Sequence, residues 1–326
     1  MNEEFTILCE GFIANRDIVR KVFPLESAYM LPVSANVFSQ QGMLADEYRL
    51  KQCKKIVEFN ASLFSEFRGA VVAPVAAKLC LTSEPKEQFE RVSAIYKKLK
   101  KYYHGSSYVA LLASILNELA DDDNMDEIIE KGSRLYSRMK ENHPFLTSSE
   151  DSVMAGFLAF SQKSDDELVD DMEECYTLLR EHFSNKNALQ SVSHILAMGE
   201  GSPVQKVNRM MQLYDRLADE GKKYGKYFEL STLAGLSLLS DDIGKITEYI
   251  VQADDFLSAQ KGYGFAGIDK KTRLMHATMI TADMYSNSRT VTVAASAATI
   301  AILAAQQAAF CAVVAATSTS ACAATS

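Results

Sequence analysis

The sequence lacks tryptophan and contains few residues that interrupt helices, with only 6 prolines and 15 glycines among 326 residues. Proline and glycine are the two residues least compatible with a helix interior. Leucine, alanine, methionine, glutamate and lysine, which favour helices, are frequent. The composition therefore predicts an all-α protein, and its 48% share of hydrophobic residues suffices for a buried core.

Signals of an extracellular or metal-binding protein are also missing. No two of the six cysteines are close enough in the chain to form a CxxC ligand pair. The first residues, MNEEFTILCEGF, begin with acidic side chains, whereas a secretory signal begins with basic ones. We therefore expect reduced, mostly buried cysteines in a cytoplasmic protein.

The chain has no surplus of positive charge, since 34 Lys and Arg residues face 42 Asp and Glu residues and the net charge is −8. Binding to a phosphate backbone requires a basic surface, so nucleic acid is excluded as the main partner. The HExxH and GxSxG motifs, the Walker loop and the dinucleotide fingerprint are absent as well. No cofactor, no metal site and no catalytic residue are predicted.

What the sequence does contain is a repeat of about 40 residues. The stretch 164–199 has apolar residues at helical spacing, a polar break, and then a second apolar run, which is typical of a helical hairpin. Counterparts of its residue Tyr176 recur at nearly constant steps through the chain. These marker positions are Ile13, Cys53, Tyr96, Tyr136, Tyr176, Tyr214 and Asp254.

Helix-start signals recur with the same period. Ser164 and Ser202 each precede a Glu or Gln by three residues, which predicts a capping box, and Thr147 has the same spacing to a glutamate. A single hairpin cannot bury its apolar stripe, but stacked neighbours can. We predict about seven helical hairpins of roughly 40 residues within residues 1–285, stacked as an α-solenoid or a compact superhelix. A closed bundle of antiparallel helices is the structural alternative.

Residues 286–326 form an alanine-rich tail that has no charged residue after position 289. The run Val291–Ala316 is long enough to cross a bilayer, but Gln306 and Gln307 lie at its centre and alanine adds little hydrophobicity. The sequence thus favours a helix that caps the last hairpin or mediates self-association over a membrane span.

Loops that join the first and second helix of each hairpin should lie along one rim of the molecule, which we call the tip rim. They combine aromatic, basic and small polar residues, a mixture suited to a polar ligand or a peptide, although turn and capping roles explain several of them equally well. The predicted binding residues in these loops are Arg68, His104, His143, Ser148, Asp151, Lys186, Asn187, Gln190, Tyr227, Glu229 and Arg273.

Two further histidines, His194 and His276, lie on second helices and complete the set of predicted binding residues. With nearby acids they support an alternative hypothesis, an enzyme whose polar site lies between second helices. Convergence of His194, Glu229 and Arg273 in one enclosed pocket would favour the enzyme, whereas an open charged groove would favour a binding protein.

An acidic motif, DDNMD at residues 122–126, resembles the DDxxD motif with which helical isoprenoid synthases hold magnesium against a diphosphate. Acidic pairs recur at the same place in other repeats, as at residues 165–166 and 241–242. Carboxylates are favoured at helix N-termini by the helix dipole and by capping. The repeat therefore favours helix capping over magnesium binding.

Several blocks resemble a known family, namely NHPFLTSSEDSVMAGFLA, NALQSVSHILAMGEG, GKKYGKYFELSTL and AAQQAAFCA. This is the domain-of-unknown-function family number four thousand and three, found mainly in Gram-positive spore-forming bacteria. The resemblance covers nearly the whole chain and implies a bacterial cytoplasmic protein. It implies no activity and no catalytic residues.

The leading hypothesis is a cytoplasmic helical-repeat scaffold that binds a protein or a small polar ligand through its tip rim. The alternatives are the enzyme described above and a protein attached to a membrane through its tail.

Overall fold

The computed structural model describes residues 1–28, 30–60, 65–264 and 267–287. Within these ranges the chain forms fourteen α-helices, and the only β-type pairing is an isolated bridge between Tyr263 and Ile268. The prediction of an all-α protein is confirmed. The predicted tail lies outside the described residues, apart from the last turn of the final helix.

Consecutive helices pair as seven hairpins, which we number 1 to 7 in chain order. The first helices are α1 (Glu3–Val22), α3 (Glu47–Asn60), α5 (Pro85–Leu99), α7 (Met125–Asn142), α9 (Asp165–Leu179), α11 (Pro203–Asp219) and α13 (Ile243–Ser258). The second helices are α2 (Met30–Ser39), α4 (Val72–Cys80), α6 (Ser107–Leu119), α8 (Asp151–Leu158), α10 (Lys186–Met198), α12 (Leu230–Ser237) and α14 (Lys270–Asn287).

The seven second helices form an inner ring. Each packs against the second helix of the next hairpin, and α14 packs against α2. The first helices lie outside them, with α13 and α14 both in contact with α1. Hairpins 1 and 7 therefore meet, so the arrangement is closer to a compact superhelix, closed on itself, than to an open solenoid.

Sequence explains which helix of each hairpin lies inside. Most second helices are apolar on nearly all sides, as in VAPVAAKLC of α4 and SYVALLASILNEL of α6, and the majority of the residues in these two helices are buried. The first helices have one apolar stripe and one charged face, as in α7 and α11. A helix that is hydrophobic all round is stable only when it is surrounded by protein, so it takes the inner position.

Aromatic side chains fill the seam between hairpins 1 and 7. The ring centroids of Phe5 and Tyr249 are 4.7 Å apart, and those of Tyr249 and Tyr285 are 6.4 Å apart. The Asn2 amide donates a hydrogen bond to the Tyr249 hydroxyl at 3.3 Å. Apolar burial at this seam joins the two ends of the ring.

The predicted capping boxes have different outcomes. Ser164 and Ser202 each accept a hydrogen bond from the backbone N–H three residues later, and the Glu or Gln at that position bonds back, as predicted. The capping box predicted at Thr147 is wrong. Helix α8 begins four residues later, and the Thr147 hydroxyl donates instead to the Met139 carbonyl at 3.0 Å.

Ion pairs link the outer helix of one hairpin to the start of the next hairpin. An Arg or Lys on the outer helix binds an Asp about 30 positions later, at or before the following helix. These pairs are Arg91–Asp122, Lys98–Asp126, Arg134–Asp165, Arg138–Asp166 and Arg209–Asp241. The acids that recur with the repeat therefore neutralise basic side chains on the outer helix of the preceding hairpin.

Close packing of the inner ring depends on Gly156 in α8. A Cβ atom at this position would lie 2.3 Å from Cδ1 of Leu112, a fully buried residue of α6. We expect Gly156→Ala to lower the free energy of unfolding by about 1–3 kcal/mol, measured by urea denaturation, because an overpacked core has to shift. Gly244→Ala, in an exposed turn of α13 with no close neighbour, is the control and should be neutral or slightly stabilising. Equal effects of the two changes would contradict this account.

Two sequence expectations concern the environment of the chain. The four cysteines in the described part of the chain, Cys9, Cys53, Cys80 and Cys175, are buried and unpaired in disulfides, as predicted, while Cys311 and Cys322 lie outside it. None of the described helices has both the length and the apolar character that a membrane crossing requires.

Candidate functional site

One depression on the tip rim gathers residues from three consecutive hairpins. It has a volume of about 590 Å³ and lies between the tips of hairpins 5, 6 and 7. Its lining residues are Arg180, Glu181, His182, Phe183, Ser184, Asn185, Lys186, Leu189, Lys226, Tyr227 and Lys271. We call it the basic rim pocket, because four of these side chains are cations and only one is an acid.

The four cations of the pocket are Arg180, Lys186, Lys226 and Lys271, and none of them forms an ion pair with another residue in the described ranges. Other cations near the tips of the same hairpins are neutralised, as Lys222 and Arg273 show. Unpaired positive charges that converge on one concavity raise the local concentration of anions. The pocket is therefore built to attract negative charge.

Local structure explains how the pocket is shaped. The Asn185 side chain accepts a hydrogen bond from the Ala188 backbone N–H, which starts α10 at the pocket wall. The backbone N–H groups of Lys186 and Asn187, which precede Ala188 in this first turn, have no acceptor within the helix and favour a negative ligand. Phe183 is buried below the loop and meets the ring of Tyr214 edge-on, with centroids 5.1 Å apart. The tip loop of hairpin 5 is thus anchored by its aromatic residue and presents its polar residues outward.

Of the predicted binding residues, Lys186 and Tyr227 line this pocket, and Asn187 follows Lys186 in the exposed first turn of α10. The prediction missed Arg180, Lys226 and Lys271. Their signal in the sequence is the recurrence of basic clusters in consecutive tip loops, as in KKYGKY at 222–227 and DKKTR at 269–273.

A second group of predicted residues meets between hairpins 4 and 5. It consists of His143, Ser148, Asp151, Gln190 and His194. Asp151 Oδ2 accepts a hydrogen bond from the Ser148 backbone N–H at 2.8 Å, and Asp151 Oδ1 lies 3.8 Å from Nδ1 of His194. The Gln190 amide donates to the Thr147 hydroxyl at 2.9 Å. These five residues, which the sequence suggested separately for the tip loops and the second helices, therefore lie near one another in the structure.

Burial controls the charge of this second group. Burial raises the pKa of Asp151 to about 7, although the Ser148 N–H favours the charged carboxylate. Burial lowers the pKa of His194 to about 3, so this imidazole is neutral at pH 7. His143, which is nearer the surface, binds the Glu173 carboxylate at 3.0 Å and packs against the ring of Tyr176. The arrangement can hold or exchange one proton between Asp151 and its surroundings.

The remaining residues on or near the second helices have structural partners. Arg273 forms two hydrogen bonds to the Asp254 carboxylate, at 2.6 and 3.1 Å. Glu229 accepts a hydrogen bond from the Tyr227 backbone N–H at 3.0 Å, and burial raises the pKa of Glu229. The Nδ1 atom of His276 is 3.0 Å from the Tyr263 hydroxyl, at the seam of the ring. The partners differ for His194, Glu229 and Arg273, which contact Asp151, the Tyr227 backbone and Asp254, so the three side chains do not share a contact.

Arg68 and His104 stand apart from both groups. Arg68 is exposed at the tip of hairpin 2, beside two short 3₁₀ turns, and His104 is exposed at the tip of hairpin 3. Both lie on the tip rim, as predicted from their loops. The pocket formed by hairpins 5 to 7 does not include them.

Two of the three carboxylates of the acidic motif at residues 122–126 are neutralised by basic residues. Asp122 binds Arg91 at 2.8 Å and Asp126 binds Lys98 at 2.8 Å. Among the described residues, no three His, Cys, Asp or Glu side chains are placed to hold a metal ion together. The local sequence matches the magnesium motif, but basic side chains of the outer helix α5 balance the charges of Asp122 and Asp126 in the structure.

Comparison with known proteins agrees with the resemblance seen in the sequence. The family model described as "Protein of unknown function (DUF4003)" matches residues 18–309. The chain belongs to this family. The chain is 29% identical over 202 residues to "Uncharacterized protein YeaA" from Bacillus subtilis (strain 168). The match covers 60% of this chain and 61% of the length of that relative. No solved structure matches the chain.

Proposed function

We propose that this DUF4003 protein is a binding protein whose tip rim holds an anionic ligand in the basic rim pocket. The observation that carries the proposal is the convergence of four unpaired cations from three hairpins on one depression. The closed inner ring holds the tips of these hairpins at fixed positions, because α10, α12 and α14 pack against each other in sequence. A rigid scaffold that presents loop residues is a common basis for recognition.

The basic rim pocket differs in sign from the protein as a whole, whose net charge is −8. Anions are repelled by the molecule as a whole, so their binding depends on the local field of the cations rather than on a generally basic surface. Binding should weaken as salt is added, because the four side chains are exposed and salt screens exposed charges.

Reversal of two pocket charges tests the proposal. We expect Lys226→Glu combined with Lys271→Glu to reduce the affinity for pyrophosphate at least tenfold at low salt, measured by isothermal titration calorimetry, since two attractive groups become repulsive. The matched control is Lys55→Glu combined with Lys86→Glu, two exposed lysines on outer helices. Both double variants change the net charge equally. Equal losses of affinity would assign the effect to net charge and overturn the proposal, as would absence of pyrophosphate binding to the wild type.

One specific observation favours the enzyme alternative, namely the contact of Asp151 with His194. A carboxyl group with a pKa of about 7 is suited to general acid–base catalysis at neutral pH. Both side chains are buried, however, and they offer a substrate almost no accessible surface. Binding at the open rim pocket therefore remains the leading function. The proposal of a membrane attachment concerns the tail, which lies outside the described residues.

A further inference from the structure

We infer that the ligand of the basic rim pocket is a small phosphorylated compound that carries an aromatic ring, of the nucleoside phosphate class. This inference rests on the proposed function and names its ligand. It combines the cations of the pocket with a second feature, an aromatic side chain that faces the same depression.

The aromatic feature is Tyr227, whose side chain is 54% exposed although it lines the pocket. The buried Glu229 side chain holds the loop that carries this tyrosine. The Glu229 carboxylate accepts the Tyr227 N–H, and it packs so tightly against Gly225 that a Cβ there would lie 2.3 Å from Glu229 Oε2. The backbone that carries this ring is therefore held at a fixed place on the rim. An exposed ring held in this way offers a flat surface on which a planar base can stack.

The phosphate feature is the set of four unpaired cations. Arg180 and Lys186 belong to hairpin 5, whereas Lys226 and Lys271 come from hairpins 6 and 7, so they surround the depression from three sides. Phosphate groups carry several negative oxygens, and clustered Lys and Arg side chains are the usual protein groups that bind them. The first turn of α10 adds backbone N–H groups at the same wall.

Size and charge distinguish this ligand class from simpler ones. A depression of about 590 Å³ falls in the range of small-molecule sites and exceeds what a single phosphate ion needs. An acidic peptide would satisfy the cations but would make no specific use of an exposed aromatic ring. Stacking on Tyr227 explains why the pocket combines both features.

Calorimetry with three probes tests the inference. Wild-type protein is titrated at low salt with ADP, with pyrophosphate and with a hexaglutamate peptide. We expect ADP to bind about tenfold more tightly than pyrophosphate, because stacking of a base on an aromatic side chain adds affinity. The peptide should bind more weakly than ADP. Equal affinities for ADP and pyrophosphate, or tighter binding of the peptide, would overturn the inference.

Variants at the aromatic position separate the ring from the charges. Tyr227→Leu should lower the ratio of ADP affinity to pyrophosphate affinity from about ten to about one, whereas Tyr227→Phe should keep the wild-type ratio. The control is Tyr102→Leu, which removes a tyrosine of similar exposure, 46%, at the tip of hairpin 3. If Tyr227→Leu keeps the preference for ADP, the inference fails while the proposed function stands. If neither ADP nor pyrophosphate binds, both fail.

Discussion

Replacement of Asp254 by asparagine is expected to lower the free energy of unfolding by about 3 kcal/mol. This carboxylate is 1% exposed, and it neutralises two cations at once. Arg273 approaches it with Nε at 2.6 Å from Oδ1, and Lys222 approaches Oδ2 at 2.7 Å. An asparagine would leave Arg273 without its counter-charge near the core and would leave Lys222 with only the exposed Asp255, and an uncompensated buried charge costs several times more than an exposed one.

The neighbouring acid provides a matched control. Asp255 also binds Lys222, at 2.6 Å, but its side chain is 67% exposed. Exposed ion pairs contribute about 0–1 kcal/mol, so Asp255→Asn should have little effect. Urea denaturation of both variants at neutral pH checks the prediction, and similar losses of stability for the two would contradict it.

The consequence for function concerns Arg273, which the sequence suggests as a binding residue. Its guanidinium group joins α14 to Asp254 of α13, the two helices of hairpin 7. This hairpin also forms one side of the seam that closes the ring. We therefore regard Arg273 as a structural residue, and loss of Asp254 should loosen the hairpin rather than only the pocket.

Acidification is expected to destabilise the protein through its two buried histidines. Burial lowers the pKa of both His194 and His276 to about 3, compared with the usual 6.5. Their folded-state pKa values lie below the unfolded values, so the unfolded chain takes up protons first. The stability that each neutral imidazole contributes is present above pH 6.5 and is lost as the pH falls toward 3.

Asp151 acts in the opposite direction. Burial raises its pKa from 3.8 to about 7, so the folded state holds a proton that the unfolded state releases. The stability linked to this proton is present below pH 3.8 and is lost as the pH rises toward 7. Glu229 and Glu150, whose pKa values are also raised by burial, act in the same direction as Asp151. The contribution of the histidines therefore has to be measured one residue at a time.

His276→Gln isolates one of these contributions. Between pH 6.5 and 4, the free energy of unfolding of the wild type should fall more steeply than that of the variant, by up to about 1.4 kcal/mol per pH unit. The comparison of slopes is independent of any constant loss that the substitution causes. His104→Gln, at an exposed tip, should keep the wild-type slope. Parallel curves for the wild type and His276→Gln would contradict the prediction.

A small part of the candidate pocket can be read from the sequence, because tip loops are local features. The loops of hairpins 5 and 6 point to Lys186 and Tyr227, and the wall of the pocket does include them. Arg180 escapes such reasoning, because it lies at the C-terminal end of α9, where the helix dipole already explains a basic residue. Lys271 escapes it because nothing in the local sequence at the start of α14 shows that this side chain lies beside hairpins 5 and 6. Only the packing of hairpins 5 to 7 brings their charges to one depression.

The sequence by itself determined the helices, their pairing and the caps at Ser164 and Ser202, since helical periodicity and capping boxes depend on residues a few positions apart. It also identified the family. The tertiary structure alone decided that hairpins 1 and 7 meet and that Arg273 binds Asp254. The angle between successive hairpins depends on the fit of side chains such as Leu112 against Gly156, which no local pattern encodes. A repeat predicts neighbours along the chain, but contact between its ends follows only from the sum of those angles.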